Sequence, residues 1–203
     1  MEIEKSQNLQ SEYKMTCLFN FSRSYSGGGL KRLLAFSKYF DENGGANFIV
    51  NSKVKHHMEE FLNNKYYYLN SNILNRINSD KKYLLNLVKS INNIDLYYSY
   101  GIPIAFKIGK INWFHLSNVL PLTNRSEYNI SMYRSIELTF LGFIIKKNYT
   151  NADVLSAESN YSLTLFPINS KHKQVSSPNG SDKEIELFGS SSTFRKNIAV
   201  VVG

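Results

Sequence analysis

Met15-Thr16-Cys17-Leu18-Phe19-Asn20-Phe21, a polar turn, and then Gly27-Gly28-Gly29-Leu30-Lys31-Arg32-Leu33-Leu34 decide how this chain folds. The first run is almost continuously apolar, which predicts a strand covered on both faces. The second predicts a helix that begins at a glycine turn, because glycine bends the backbone where the helical pattern starts. Strand, glycine turn and helix in that order open a βαβ unit.

The pattern recurs downstream. Further strands are predicted over 46–51 (ANFIVN), 66–70 (YYYLN), 95–100 (DLYYSY), 111–117 (INWFHLS), 152–157 (ADVLSA), 173–177 (KQVSS) and 198–202 (IAVVV). Between them, Val54, Met58, Phe61 and Leu62 fall on one helical face, as do Leu84, Leu87, Val88 and Ile91, and both sets read as core-facing. A longer pattern over 126–148 puts Tyr133, Ile136, Phe140 and Ile144 on one stripe and leaves Arg134, Lys146 and Lys147 for water or a partner. Strands alternating with helices predict an α/β fold: a Rossmann-like parallel sheet with helices on both faces.

Composition narrows the class of protein. Of 203 residues, 42% are hydrophobic and 20% charged, enough apolar material to offset chain entropy in one sizeable domain. Cys17 is the single cysteine, so neither an internal disulfide nor a CxxC metal knuckle can form, and no metal is expected. Met1 to Lys14 form a polar tail without an apolar signal core, and no stretch reaches the ~18 consecutive apolar residues of a membrane span. The expected location is cytoplasmic, with peripheral contact on the inner face of a membrane. The net charge of +8 invites a nucleic-acid reading. Its lysines are scattered pairs, however, and no recognition-helix, RNP or zinc-finger pattern accompanies them, so nucleic acid is not an expected partner.

Residues 15–178 thus read as one domain. Pro178-Asn179-Gly180-Ser181-Asp182 is turn chemistry, and 179–196 reads as a linker. Residues 197–203 resemble a buried strand running into a glycine turn, the expected start of a second Rossmann-like unit.

In an open parallel sheet, ligands bind at the carboxyl ends of the strands. Four places there carry polar chemistry. Gly27, Gly28 and Gly29 offer backbone N–H groups and a helix amino terminus to an anion, or else form a plain turn. Tyr100-Gly101 closes the strand before it. His115 ends the strand 111–117 with Ser117 and Asn118 just beyond, and is either a general base, a hydroxyl-binding group or an ordinary hydrogen-bonded histidine. Glu158 and Ser159 close the strand 152–157, with Ser159 also suited to cap a short helix. His57, on a helical face beside Val54 and Met58, reads as structural.

Taken in order, several segments resemble the amino-terminal domain of family 4 glycosyltransferases, retaining enzymes of the two-domain GT-B architecture that act in polysaccharide and O-antigen assembly. They are Gly27-Gly28-Gly29-Leu30-Lys31-Arg32, Trp113 to Pro121, Ala152 to Ser159, Val175 to Asp182 and Asn197 to Gly203. The resemblance implies a sugar-nucleotide donor, a saccharide or polyprenyl-linked acceptor and no separate cofactor. It places Gly28 and Gly29 near the donor diphosphate, His115 near the transferred sugar as the catalytic residue, and Asn118, with Ser117, Glu158 and Ser159, at substrate. It also implies a second, donor-binding domain beyond residue 203, without which this portion is expected to be inactive. The alternative is a non-catalytic subunit of a split glycosyltransferase that recruits acceptor or membrane.

Overall fold

The computed structural model describes residues 15–69, 76–125, 128–166 and 172–178. Seven strands form one sheet: β1 (Cys17–Phe21), β2 (Asn47–Asn51), β3 (Lys65–Leu69), β4 (Leu96–Tyr100), β5 (Ile111–Leu116), β6 (Val154–Ala157) and β7 (Lys173–Ser176). Their order is β3-β2-β1-β4-β5-β6-β7, and every neighbouring pair is parallel. This is the Rossmann-like α/β sheet predicted above, with strand limits that differ from the apolar runs only at their ends. The linker 179–196 and the strand predicted at 198–202 lie outside the described residues.

Alternate side chains of the inner strands feed two separate cores, because successive residues of a strand point to opposite faces. Phe19, Phe21, Phe48, Val50, Tyr98 and Tyr100 pack beneath the helices α1 (Gly27–Glu42) and α2 (Lys55–Met58), which add Leu33 and Met58. Leu18, Ile49, Tyr97, Phe114 and Leu155 face the other way, toward Leu87 of α3 (Arg76–Ile91), Ile145 of α4 (Met132–Asn148) and Leu163 of α5 (Asn160–Thr164). The first core is mostly aromatic. Phe19 alone has Phe36, Phe40, Phe48 and Tyr98 within 6.0 Å, centroid to centroid, a distance at which ring pairs add to the burial term.

Two helical expectations change. Val54 and Met58 are buried as predicted, but Leu62 is 85% exposed. The helix stops at Met58 because the chain must turn back to the sheet: Asn63 N–H donates to Asp41 Oδ1 at 2.7 Å, and Asn64 donates to the Ser37 carbonyl at 2.7 Å while accepting from Ala46 N–H. In α4 the face that enters the core is Leu138, Gly142 and Ile145, whereas Tyr133, Ile136 and Phe140 point outward. Gly142 lies so close to the 121 loop that a Cβ there would meet the Pro121 carbonyl oxygen at 2.1 Å.

Two aspartates clamp the amino edge of the sheet, where parallel strands begin with unpaired N–H groups. Asp95 accepts from Thr16 N–H at 2.9 Å and from Lys110 at 2.7 Å. Asp153 accepts from the backbone and side chain of Asn112 at 2.8 and 3.1 Å and from Lys107 at 2.9 Å. Partial burial raises the Asp153 pKa, but these donors outweigh it and the net shift is downward.

Strand order reverses between β1 and β4, with β2 and β3 on one side and β5, β6 and β7 on the other. The connections leaving β1 and β4 therefore part company at their carboxyl ends, which opens a crevice between them.

Candidate functional site

A cavity of about 400 Å³ occupies that crevice. Its floor is Tyr100-Gly101 at the end of β4, and Ser117-Asn118 after β5 forms one wall. The opposite wall is the turn Arg23 to Ser26 with Gly29 of α1, while Arg134, Glu137 and Leu141 of α4 overhang the third side.

Glycine is required at the floor. Gly101 has a φ of +69°, and a Cβ there would sit 2.3 Å from Ser117 Oγ. Its N–H donates to the His115 carbonyl at 2.8 Å, which ties the ends of β4 and β5 together. Asn118 Oδ1 accepts from Leu120 N–H at 3.0 Å, so its amide NH₂ is what remains for a ligand.

The wall formed by α1 is rich in donors. Gly27 starts the helix with a φ of +59°, and Ser26 extends the chain without capping it through its side chain. The first N–H groups of a helix have no acceptor within the helix. Beside them Ser24 is 3% exposed, and its Oγ has no hydrogen-bond partner among the described residues. A buried hydroxyl without a partner costs about 1–3 kcal/mol, and a ligand oxygen would relieve that. Helix dipole, free N–H groups and hydroxyl together suit an anion. Gly29 keeps the two close, since a Cβ there would stand 3.3 Å from Ser24 Oγ. Arg134, which also lines the cavity, is paired with Glu137 at 2.5 Å.

Behind the floor lies a buried polar cluster. The His115 ring is 0% exposed and stacks on Tyr100, with centroids 5.1 Å apart and planes within 9°. Arg32 of α1 donates to His115 Nε2 at 2.7 Å and to the Ser177 carbonyl at 3.3 Å, and its guanidinium stands 5.4 Å from the Tyr100 ring centroid. A guanidinium only donates, so Nε2 must be the unprotonated nitrogen and Nδ1 carries the hydrogen, which Ser156 Oγ accepts at 2.9 Å. Trp113 Nε1 donates to the same hydroxyl at 2.6 Å. Burial and then the Arg32 charge lower the His115 pKa to about 3, so the ring is neutral at ordinary pH. Burial holds Tyr98 and Tyr100 above the usual phenol range, partly offset by Arg32 and reinforced by Glu158.

The residues singled out from sequence therefore separate into layers. Gly29, Tyr100, Gly101, Ser117 and Asn118 line the cavity. Gly27 and Gly28 begin the helix at its rim. His115 is buried and does not line the cavity, but its ring stacks on Tyr100, which does. Glu158 makes its charge felt at Tyr98 and Tyr100. Ser159 caps α5, accepting from Ser162 N–H at 3.1 Å. His57 is half-buried, its ring 3.8 Å from that of His56.

The sequence gives no role to Arg23, Ser24, Glu137 and Leu141, leaves Arg134 only for water or a partner, and gives Arg32 no role beyond its place in a segment. For Ser24 a signal existed, since it stands in the polar turn between the first strand and the glycines. For α4 nothing local indicated which flank meets a loop more than a hundred residues away.

Comparison with known families finds no matching family model, and comparisons with curated proteins and solved structures find no match. What fold and cavity together define is a class: a Rossmann-like α/β domain with a donor-lined crevice at its topological switch point. Among the described residues no helix is long and apolar enough to cross a membrane, and no group of three or more His, Cys, Asp or Glu is placed to hold a metal ion.

Proposed function

We propose that this chain is the amino-terminal, acceptor-side portion of a GT-B glycosyltransferase that moves a sugar from a nucleotide-sugar to a saccharide or lipid-linked acceptor in bacterial surface-polysaccharide synthesis. The observation that supports it is the crevice itself, in which an uncapped helix start and the unpartnered Ser24 hydroxyl face Ser117 and Asn118 across about 400 Å³. Transfer breaks the bond between the anomeric carbon and the diphosphate oxygen and forms one to an acceptor hydroxyl, whose proton passes to the departing diphosphate. Negative charge grows on the departing diphosphate, and helix N–H groups are suited to receive it. Asn118 and Ser117 supply hydrogen bonds that hold a hydroxyl-rich ligand in line.

In this reading His115 works from behind the wall. It is buried, neutral and too weak a base to take a proton near neutral pH, so it positions Tyr100 and Arg32 rather than touching the acceptor. A donor domain on a further stretch of chain or a second polypeptide would carry the nucleoside.

The second reading, a recruiting subunit of a split enzyme, draws on a different feature. An apolar groove of about 520 Å³ runs between α1 and the sheet, lined by Phe36, Tyr39, Phe40, Tyr98 and Trp113.

The test is transfer from a panel of radiolabelled sugar-nucleotides by a fusion carrying a family-type donor domain. The fusion is expected to transfer and the 203-residue chain is not. His115→Ala is expected to lower turnover by ~10²-fold, and His57→Ala to affect thermal midpoint alone. Near-normal turnover in His115→Ala would remove that residue from the site, and transfer by the chain alone would end the two-domain reading.

A further inference from the structure

We infer that the outward face of α4 is a membrane-contact surface that rests on anionic lipid headgroups. A helix of a globular domain ordinarily turns one apolar face to the core and a polar face to water. The α4 helix is apolar on two opposite faces. Leu138, Gly142 and Ile145 are buried in the core, while Met132, Tyr133, Ile136, Phe140 and Phe143 are 80%, 70%, 60%, 51% and 62% exposed. At ~100° per residue these five fall within an arc of about 100°, directly opposite the buried set. Five large side chains in one continuous stripe form a patch of the kind that marks a binding surface.

Charge selects the occupant. Lys146 and Lys147 close the helix at one end of the stripe, both exposed and neither in an ion pair among the described residues. The helix has a single acid, Glu137, which lies on the cavity side and is held by Arg134. The chain as a whole carries +8. That charge opposes a second copy of the same chain and attracts an anionic surface. Aromatic and aliphatic side chains flanked by lysines are also what an interfacial helix uses to sit at the headgroup boundary. Seventeen residues span only ~25 Å, and the helix is not apolar enough to cross, so it lies on the bilayer.

Arg134, Glu137 and Leu141 on the adjacent flank line the cavity, so docking by this face holds the crevice mouth at headgroup level. There a lipid-linked acceptor would enter it. That last step rests on the glycosyl-transfer reading, but the contact itself does not.

The experiment is flotation of the 203-residue chain with vesicles of phosphatidylcholine alone or phosphatidylcholine with phosphatidylglycerol. Expected is recovery with the anionic vesicles only, weakened by salt. Phe140→Ser with Phe143→Ser, and separately Lys146→Glu with Lys147→Glu, should each lower binding at least ~10-fold with an unchanged thermal midpoint, since these side chains are exposed. Equal recovery with both vesicle types, no recovery with either, or full binding by the Phe140→Ser, Phe143→Ser variant overturns the inference. So does a dimer that this variant dissolves. No donor or acceptor is present, so a failure here leaves sugar transfer to be judged by its own assay.

Discussion

Nη1 of Arg32 donates to Nε2 of His115 at 2.7 Å, joining the first helix to the fifth strand across the sheet face. The contact needs a neutral imidazole, since a protonated ring would set N–H against N–H.

Stability should therefore depend on pH through His115. Its folded pKa, about 3, lies below the ordinary histidine value, so the unfolded chain takes up a proton first as pH falls. The contribution is fully present above about pH 6.5 and is lost progressively toward pH 3, by at most about 1.4 kcal/mol for each pH unit. Thermal midpoints across that range should fall more steeply for the natural chain than for His115→Gln, whose amide can accept from Arg32 without titrating. Parallel profiles would remove His115 as the cause. A double-mutant cycle of Arg32→Met with His115→Leu, each of which removes the contact, should give a coupling of about 0.5–3 kcal/mol.

Gly101→Ala should lower stability by about 1–3 kcal/mol, because it combines a φ of +69° with a Cβ 2.3 Å from Ser117 Oγ. Ser117→Ala in the same chain should recover part of the loss, the part due to the clash. Denaturant midpoints for the two variants separate clash from backbone strain.

Gly142→Ala should also destabilise, although alanine is worth about 1 kcal/mol over glycine in an exposed helix interior. The carbonyl oxygen of Pro121 lies 2.1 Å from where the methyl would go, and it is backbone, so α4 would have to move. A gain in thermal midpoint would mean that the helix is free to shift.

Acid should unclamp the amino edge of the sheet. The Asp153 pKa is lowered by its donors, so its contribution is present above the ordinary carboxylate range and is lost as pH falls through the folded value. Asp153→Asn should be less stable near neutrality and lose less on acidification below about pH 4. Circular dichroism melts at stepped pH would detect the convergence.

Cys17 should resist thiol reagents in the folded chain. Burial, and then the Asp95 charge, raise its pKa and leave little thiolate. Labelling should become fast only in denaturant.

Much of the fold could be read from local pattern. The five inner strands β1, β2, β4, β5 and β6 are largely apolar runs, because a strand covered on both faces must be apolar at successive positions and not merely at alternate ones, whereas the edge strand β7 is mainly polar and exposed. The cavity was legible as far as it is built from strand ends: Tyr100, Gly101, Ser117 and Asn118 end or follow β4 and β5 at one edge of the sheet, and Gly29 lies in the first turn of the helix that follows β1. Parallel topology alone brings such residues together.

Tertiary structure decided the rest. The stacking of His115 on Tyr100 follows from the β4–β5 register that pairs them, and that Arg32 is the partner of His115 across 83 residues follows from how α1 lies on the sheet, which no local spacing encodes. The outward stripe of α4 is the clearest case. Its apolar period predicts a buried face equally well on either side, and the side the core took is the one where Gly142 lets α4 approach Pro121 and where Leu138 and Ile145 are buried. A 3.6-residue period specifies that a helix has faces, whereas packing against distant chain specifies which one is covered.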